Sequence, residues 1–177
     1  IIGLYFDLQK AFDTVNHEIL LCKLQKFGVR GIVHDWFKNY LSDRYQYTLC
    51  NSIKSEILEI TCGVPQGSVL GPLLFLVYMN DINVALQGQR VKLFAYDINL
   101  FISGNNLSEA SELAAECIDK LSEWFTINKL TLNIDKTCFM VFPPDKTNSV
   151  HLSVNGKAIN KVQSCRYLGV IIDDELK

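Results

Sequence analysis

Two aspartates carry the first chemical signal in this chain. Asp7 closes the apolar run Ile1 to Leu8 (IIGLYFDL), which reads as a buried strand ending in an acid. Asp97 sits in Val91 to Ser103 (VKLFAYDINLFIS), where two short β-branched or aromatic runs flank a polar break at Tyr96-Asp97. That pattern predicts a strand pair around a tight turn. If the two strands are neighbours, the carboxylates converge at one rim of a sheet. Converging carboxylates suit Mg²⁺, a hard cation that takes oxygen ligands and shares them with substrate phosphates. Two such ions about 3.5–4 Å apart can stabilise the attacking and leaving oxygens of a phosphoryl transfer. Spacing alone favours the plainer reading, an acid solvated at a strand end.

The elements that must position these acids follow in order. Asp13 and Thr14 are expected to cap a helix beginning near Val15, with Gly28 past its end. Ile32, Val33, Trp36, Phe37, Tyr40 and Leu41 recur at helical spacing within Gly31 to Ser42. Tyr45 to Cys50 and Ser55 to Thr61 read as a hairpin, and Cys62 to Pro72 (CGVPQGSVLGP) as a shaped loop. Leu73 to Met79 reads as a buried helix, and Pro72 is tolerable in its first turn. Leu107 to Asn128 carries one apolar stripe with Ser108 as a fair cap. Thr137 to Phe142 reads as a strand, Val150 to Val162 as a hairpin about Asn155-Gly156, and Arg166 to Ile172 as a last strand. The order predicts an α+β fold, with helices on one face of an antiparallel sheet and a split βαβ, ferredoxin-like core.

Composition bounds the rest. The 177 residues are 49% hydrophobic and 20% charged, enough for one globular domain with a sizeable core. A net charge of -2 gives no bulk attraction to a polyanion, so nucleic acid would need a local basic patch. The six cysteines form no CxxC pair and lack a histidine at ligand spacing, which argues against zinc and for reduced, buried thiols in an intracellular protein. Leu73 to Met79, the longest apolar run, is too short to cross a bilayer, so no membrane partner is expected. An opening on Ile1-Ile2 reads as a fragment of a longer polypeptide.

Five segments in order, FDLQKAFDTVNH, GVPQGSVLGPLLFLVYMNDI, FAYD, NKLTLNIDKTCFMVF and CRYLGVIID, resemble the reverse transcriptases of non-long-terminal-repeat (LINE-type) retrotransposons. The resemblance covers nearly the whole chain. It implies a polymerase palm over 1–177: a ferredoxin-like antiparallel sheet, helices on one face and a C-terminal β-hairpin. A partial fingers-side insertion is expected at about 30–60, with the start of the fingers and the thumb beyond the ends. The implied activity is RNA-directed DNA polymerisation with two Mg²⁺, taking RNA template, DNA primer and deoxynucleoside triphosphates. By position, Asp7 and Asp97 would bind metal, with the Leu8 backbone carbonyl beside them. Phe12 matches the aromatic gate against a ribose 2′-hydroxyl. Pro65, Gln66 and Gly67 match the nucleotide and template loop, where Gly63 and Gly67 would let backbone approach a base pair closely. Lys136 matches the lysine that neutralises the leaving pyrophosphate, and Tyr167-Leu168-Gly169 the primer grip; read alone, Leu168 would be core and Gly169 a bulge. Asn16 and His17 are expected to hydrogen-bond at a helix start, and Asp173-Asp174 to be a solvated strand end.

One position departs from the pattern. The family has Ala-Asp-Asp where this chain has Ala95-Tyr96-Asp97, and Ile98 stands where Thr or Ser is usual. A phenol, with a pKa of about 10, is neutral and offers one weak oxygen where an anion is expected. The expectation is a very poor polymerase at best. The alternative is a non-catalytic nucleic-acid-binding remnant of a degenerate retroelement.

Overall fold

The computed structural model describes residues 1–86, 88–94, 97–145 and 149–176. The Tyr96 position therefore lies outside the described residues. In chain order the elements are β1 (Ile2–Phe6), α1 (His17–Lys26), α2 (Ile32–Leu41), β2 (Tyr45–Gln46), β3 (Leu49–Cys50), β4 (Ile53–Lys54) and β5 (Leu58–Glu59). Then come α3 (Leu70–Met79), α4 (Ile82–Ala85), β6 (Arg90–Phe94), β7 (Asp97–Ile102), α5 (Leu107–Ile127) and β8 (Cys138–Val141). Last are β9 (Ser153–Val154), β10 (Lys157–Ala158), β11 (Asn160–Lys161), β12 (Ser164–Tyr167) and β13 (Val170–Asp173). They fall into two compact units, one of Ile1–Gln9 with Asp81–Lys177 and one of Lys10–Asn80.

The first unit is built on a five-stranded sheet in the order β11-β8-β1-β7-β6. Its pairs are antiparallel except β11 with β8, which is parallel. β1 is central, and all five of its residues are buried. Helix α5 covers one face: Ala110, Ala114, Cys117, Ile118, Leu121 and Phe125 are buried, and the Phe125 ring lies 6.5 Å from Phe6. The cap of α5 is Asn106, whose side chain accepts from the Glu109 amide at 2.9 Å, rather than the expected Ser108. Asn106 has the extended backbone a capping residue needs, whereas Ser108 is already inside the first turn.

Arg166 to Ile172 is two strands, not one. β12 and β13 pair antiparallel about Leu168 and Gly169, both in the left-handed region (φ 48 and 85). Leu168 is therefore an exposed turn residue rather than core, and Gly169 is a turn glycine rather than a bulge. The Asn155-Gly156 turn forms as expected, with both residues at positive φ, and joins β9 to β10. The chain then leaves that hairpin, and β11 joins the main sheet.

In the second unit α1 packs on α2 and α3. Asp13 and Thr14 do not cap α1. Asn16 does, accepting from the Ile19 amide at 3.0 Å. Thr14 is instead held in the preceding turn, its hydroxyl donating to the carbonyls of Lys10 and Ala11 at 3.3 Å. Helix α2 forms at the predicted spacing, yet Ile32, Val33 and Trp36 on it are exposed. The expected hairpin is split: β2 pairs with β5, and β3 with β4 about Asn51 and Ser52 at positive φ. The thiols are free but mostly not buried. Cys22, Cys50 and Cys62 are exposed, because they lie on a helix flank, a hairpin and a loop that no second layer covers among the described residues.

Candidate active site

The register of β1 against β7 sets the geometry of the two acids. Tyr5 lies opposite Asn99 and Phe6 opposite Ile98. One further step puts Asp7 opposite Asp97, and opposed residues of an antiparallel pair share a face. Phe6 faces α5, so by alternation Tyr5, Asp7, Asp97 and Asn99 belong to the other face. The β12–β13 hairpin lies on that face too, with the Tyr167 ring 6.3 Å from Tyr5.

The charge of Asp7 is felt at Asp97. The Asp97 carboxyl is held above the ordinary carboxylate range, first by burial and then by the charge of Asp7. A group raised in this way stabilises the fold below its unfolded value near 3.8, and that contribution is lost as pH rises through the raised value. Ionised Asp97 is therefore a cost at neutral pH. Asp97→Asn should raise the thermal midpoint slightly at pH 7 and have no such effect near pH 3. Melting curves at the two pH values check this, and a lower midpoint at pH 7 would contradict it.

Asp7 is anchored through its backbone. Its carbonyl accepts from the Asn133 amide at 2.8 Å, and the Gln9 amide donates to Thr131 at 2.8 Å. These two bonds frame a bridge between Leu8 and Leu132, and neither uses the Leu8 carbonyl. Thr137 is fully buried; its hydroxyl donates to the Asn133 carbonyl at 2.8 Å and receives the Asp7 amide at 3.4 Å. Lys136 is exposed in the same turn, its amide donating to the Asn133 carbonyl at 3.2 Å. The turn that carries Lys136 is thus tied directly to Asp7. Sequence reasoning missed Asn133 and Thr137, and the available signal was a hydroxyl residue immediately before an apolar strand. It also missed Asn99, which is buried and whose Nδ2 has no hydrogen-bond partner among the described residues.

Asp7 and Asp97 are both hard oxygen donors, the chemistry that a divalent cation such as Mg²⁺ takes. Among the described residues no group of three or more His, Cys, Asp or Glu side chains gathers, so the set is smaller than a full carboxylate cage. None of the described helices is long and apolar enough to cross a membrane.

The remaining site residues belong to the second unit. Phe12 is half-buried, its ring 4.8 Å from the fully buried Phe75. Its carbonyl accepts from the Val64 amide at 2.8 Å. The Gly63 amide donates to Val15 at 2.7 Å, and His17 Nε2 lies 2.7 Å from the Gly63 carbonyl. The loop carrying Pro65, Gln66 and Gly67 is therefore strapped to residues 12–17. Gln66 is exposed and donates to the Asp13 carboxylate at 2.7 Å. The Pro65 carbonyl accepts from the Ser68 hydroxyl at 2.7 Å, and Gly67 is exposed at φ 76. Gly63 serves an internal close approach: a Cβ there would lie 2.8 Å from the Asp13 carbonyl oxygen. The acids, Leu8, Lys136 and Tyr167 to Gly169 are thus gathered in one unit, and Phe12 with Pro65 to Gly67 in the other.

Comparison with known proteins identifies the family. Residues 2–172 match the family described as reverse transcriptase (RNA-dependent DNA polymerase). The RNA-directed DNA polymerase from mobile element jockey of Drosophila melanogaster is 28% identical over 99% of this chain and 20% of its own length. The probable RNA-directed DNA polymerase from transposon BS of the same fly is 30% identical over 98% of this chain and 20% of its own. A Pol polyprotein from the type-1 retrotransposable element R2 of Popillia japonica is 24% identical over 93% of this chain and 29% of its own. The chain spans about a fifth to a third of the length of these relatives. The match over residues 2–172 and these relatives lead to one conclusion: this chain belongs to the reverse transcriptase family, in the group carried by LINE-type retrotransposons.

Proposed function

We propose that the chain is the palm of an RNA-directed DNA polymerase, with its first unit carrying the acids and Lys10–Asn80 carrying the fingers-side insertion. The observation that carries this reading is Asp7 opposite Asp97 on the sheet face away from α5. The strands β1, β6, β7 and β8 lie in the order β8-β1-β7-β6, fourth-first-third-second, which supports a ferredoxin-like palm. Asp7, Asp97 and the Leu8 carbonyl would hold Mg²⁺, which when bound supplies charge to neutralise a triphosphate. Phe12 would bar a ribose 2′-hydroxyl, Pro65 to Gly67 would shape the nucleotide site, Lys136 would neutralise pyrophosphate, and Tyr167 to Gly169 would hold the primer end. The substrates are then RNA template, DNA primer and deoxynucleoside triphosphates.

Tyr96 makes this copy a very poor polymerase, because a neutral phenol replaces one of the three acids. A non-catalytic nucleic-acid-binding role is the second reading, and the same residue favours it. Single-nucleotide primer extension on an RNA template, in Mg²⁺, tests both. The Tyr96→Asp chain should incorporate deoxynucleotide, and adding Asp7→Asn should abolish it. A folded chain with both Tyr96→Asp and Ile98→Thr that binds template and primer yet incorporates nothing would leave only the binding reading.

A further inference from the structure

On the sheet face away from α5, two thiols meet one tyrosine. Cys138 lies directly opposite Tyr5 in the antiparallel pair of β1 with β8, so both side chains leave the sheet on that face. The β12–β13 hairpin covers it. Along β12 the residues alternate between exposed and half-buried, and the half-buried ones are Cys165 and Tyr167. The Tyr167 ring lies edge-on to Tyr5 at 6.3 Å, so the face of β12 that carries Cys165 is the one turned to the sheet. Cys138 and Cys165 therefore sit on facing surfaces, both half-buried and both free thiols.

Gly3 thins the layer between them. It shares the face of Tyr5, and a Cβ there would lie 3.2 Å from the Tyr5 hydroxyl. The Tyr5 ring thus lies along its strand over Gly3 and leaves the two backbones room to come close beside it. A disulfide needs that closeness, with Cα atoms about 4.4–6.8 Å apart. The Tyr5 hydroxyl is buried and has no hydrogen-bond partner among the described residues. Beside a neutral thiol it is an orphan; beside a thiolate it is a donor. Burial raises both thiols, Cys138 to about 11, and the Tyr5 hydroxyl draws Cys165 back down. A charge on Cys165 also keeps Cys138 protonated. Cys165 is therefore the thiol that ionises first.

We propose that Cys165 and Cys138 form a dithiol site oxidised by peroxide, in which a disulfide staples the β12–β13 hairpin to β8. The Cys165 thiolate attacks one oxygen of hydrogen peroxide. An S–O bond forms, the O–O bond breaks, and the departing hydroxide takes up the proton lost by the thiol and leaves as water. Cys138 then attacks the sulfenic sulfur, its proton passes to the departing hydroxyl, and a second water leaves as the S–S bond forms. Two thiols lose two electrons and one peroxide gains them. Tyr5 gives a hydrogen bond throughout and keeps its own proton. The site stands on its own geometry; only its consequence for a primer end, through the turn Tyr167 to Gly169, rests on the polymerase reading.

The test treats the full chain with hydrogen peroxide, blocks the remaining thiols with iodoacetamide in urea and maps the unreduced peptides by mass spectrometry. The expected product is a peptide pair joined through Cys138 and Cys165, lighter than its reduced form by two hydrogens and parted by dithiothreitol. In Cys138→Ser, Cys165 should stop at the sulfenic acid and be trapped by dimedone. Tyr5→Phe keeps the ring and removes the donor. Loss of one hydrogen bond lowers the thiolate population about tenfold, and the gain in nucleophilicity returns about half of that on a logarithmic scale, so the disulfide should form about threefold more slowly. Melting curves of the reduced variants confirm that they are folded. Oxidation confined to the exposed Cys22, Cys50 and Cys62, with Cys138 and Cys165 both alkylated, overturns the proposal and leaves the polymerase reading intact. A disulfide that pairs either residue with another cysteine overturns it equally. An unchanged rate in folded Tyr5→Phe overturns the part given to Tyr5.

Discussion

Tyr96→Asp is expected to raise Mg²⁺-dependent deoxynucleotide incorporation by about three powers of ten. Phosphoryl transfer depends on positioning and charge rather than on covalent help from the protein. Removal of a single group that stabilises developing charge costs on the order of 4 kcal/mol, and each 1.36 kcal/mol is a factor of ten in rate. Asp7 and Asp97 lie opposite each other in register, and the charge of Asp7 raises the Asp97 carboxyl, so on the proposed reading a further acid would add to a pair that calls for cations. The measurement is single-turnover incorporation opposite an RNA template, comparing the parent chain with Tyr96→Asp. Brisk incorporation by the parent would show that the phenol is no obstacle. A silent Tyr96→Asp chain with normal template binding would point to Ile98, the neighbouring departure from the family pattern, and the double change Tyr96→Asp with Ile98→Thr should then recover the rate.

Gly63→Val is expected to be the most damaging single change to stability at the site. Gly63 has φ +90, a conformation that costs a side-chain-bearing residue about 1–3 kcal/mol. A Cβ would also meet the carbonyl oxygen, Cα and carbonyl carbon of Asp13 at 2.8, 2.9 and 3.0 Å. All three are backbone atoms, and neither strand of the strap can move freely. Its amide and carbonyl are engaged with Val15 and His17, and Val64 is bonded to Phe12. Relief of the overlap costs a further 1–3 kcal/mol by the usual scale of overpacking, for a total of about 3 kcal/mol or more. Urea unfolding should show a clearly lower midpoint. Gly67→Ala is the control: it has a positive φ but open space around its Cβ, so its loss should be limited to the backbone term. Equal midpoints for the two variants would remove the close-approach argument.

The parts of the fold that were legible in the sequence are those specified locally. The apolar stripe of α5 needed only its own residues, and Asn155-Gly156 announced its turn through chemistry that tolerates positive φ. Failures came where distant contacts choose between local options. Asp13, Thr14 and Asn16 are all cap-capable, and the bonds from residues 62–64 to residues 12–17 decide where α1 starts. Leu168 gave no sign of a turn, since leucine seldom adopts a left-handed backbone. Helical spacing identified α2, but periodicity does not say whether an apolar face is covered, and Ile32 is 86% exposed. At the site, the two acids were recognisable by type and by resemblance. Their opposition depends on a register between residues about ninety positions apart, which no local pattern encodes. Thr137 was invisible for the same reason, since its importance lies in what it touches.

The sheet order has one more consequence. β6 is the outermost strand, so one side of its backbone meets no other strand among the described residues. Such a border can recruit a second molecule by strand addition, and half-buried Val91 and Leu93 with exposed Phe94 would welcome it. Lys92 stands exposed among them as the charge that opposes such self-association. The strand paired with the one that carries Asp97 is therefore also an open edge of the sheet.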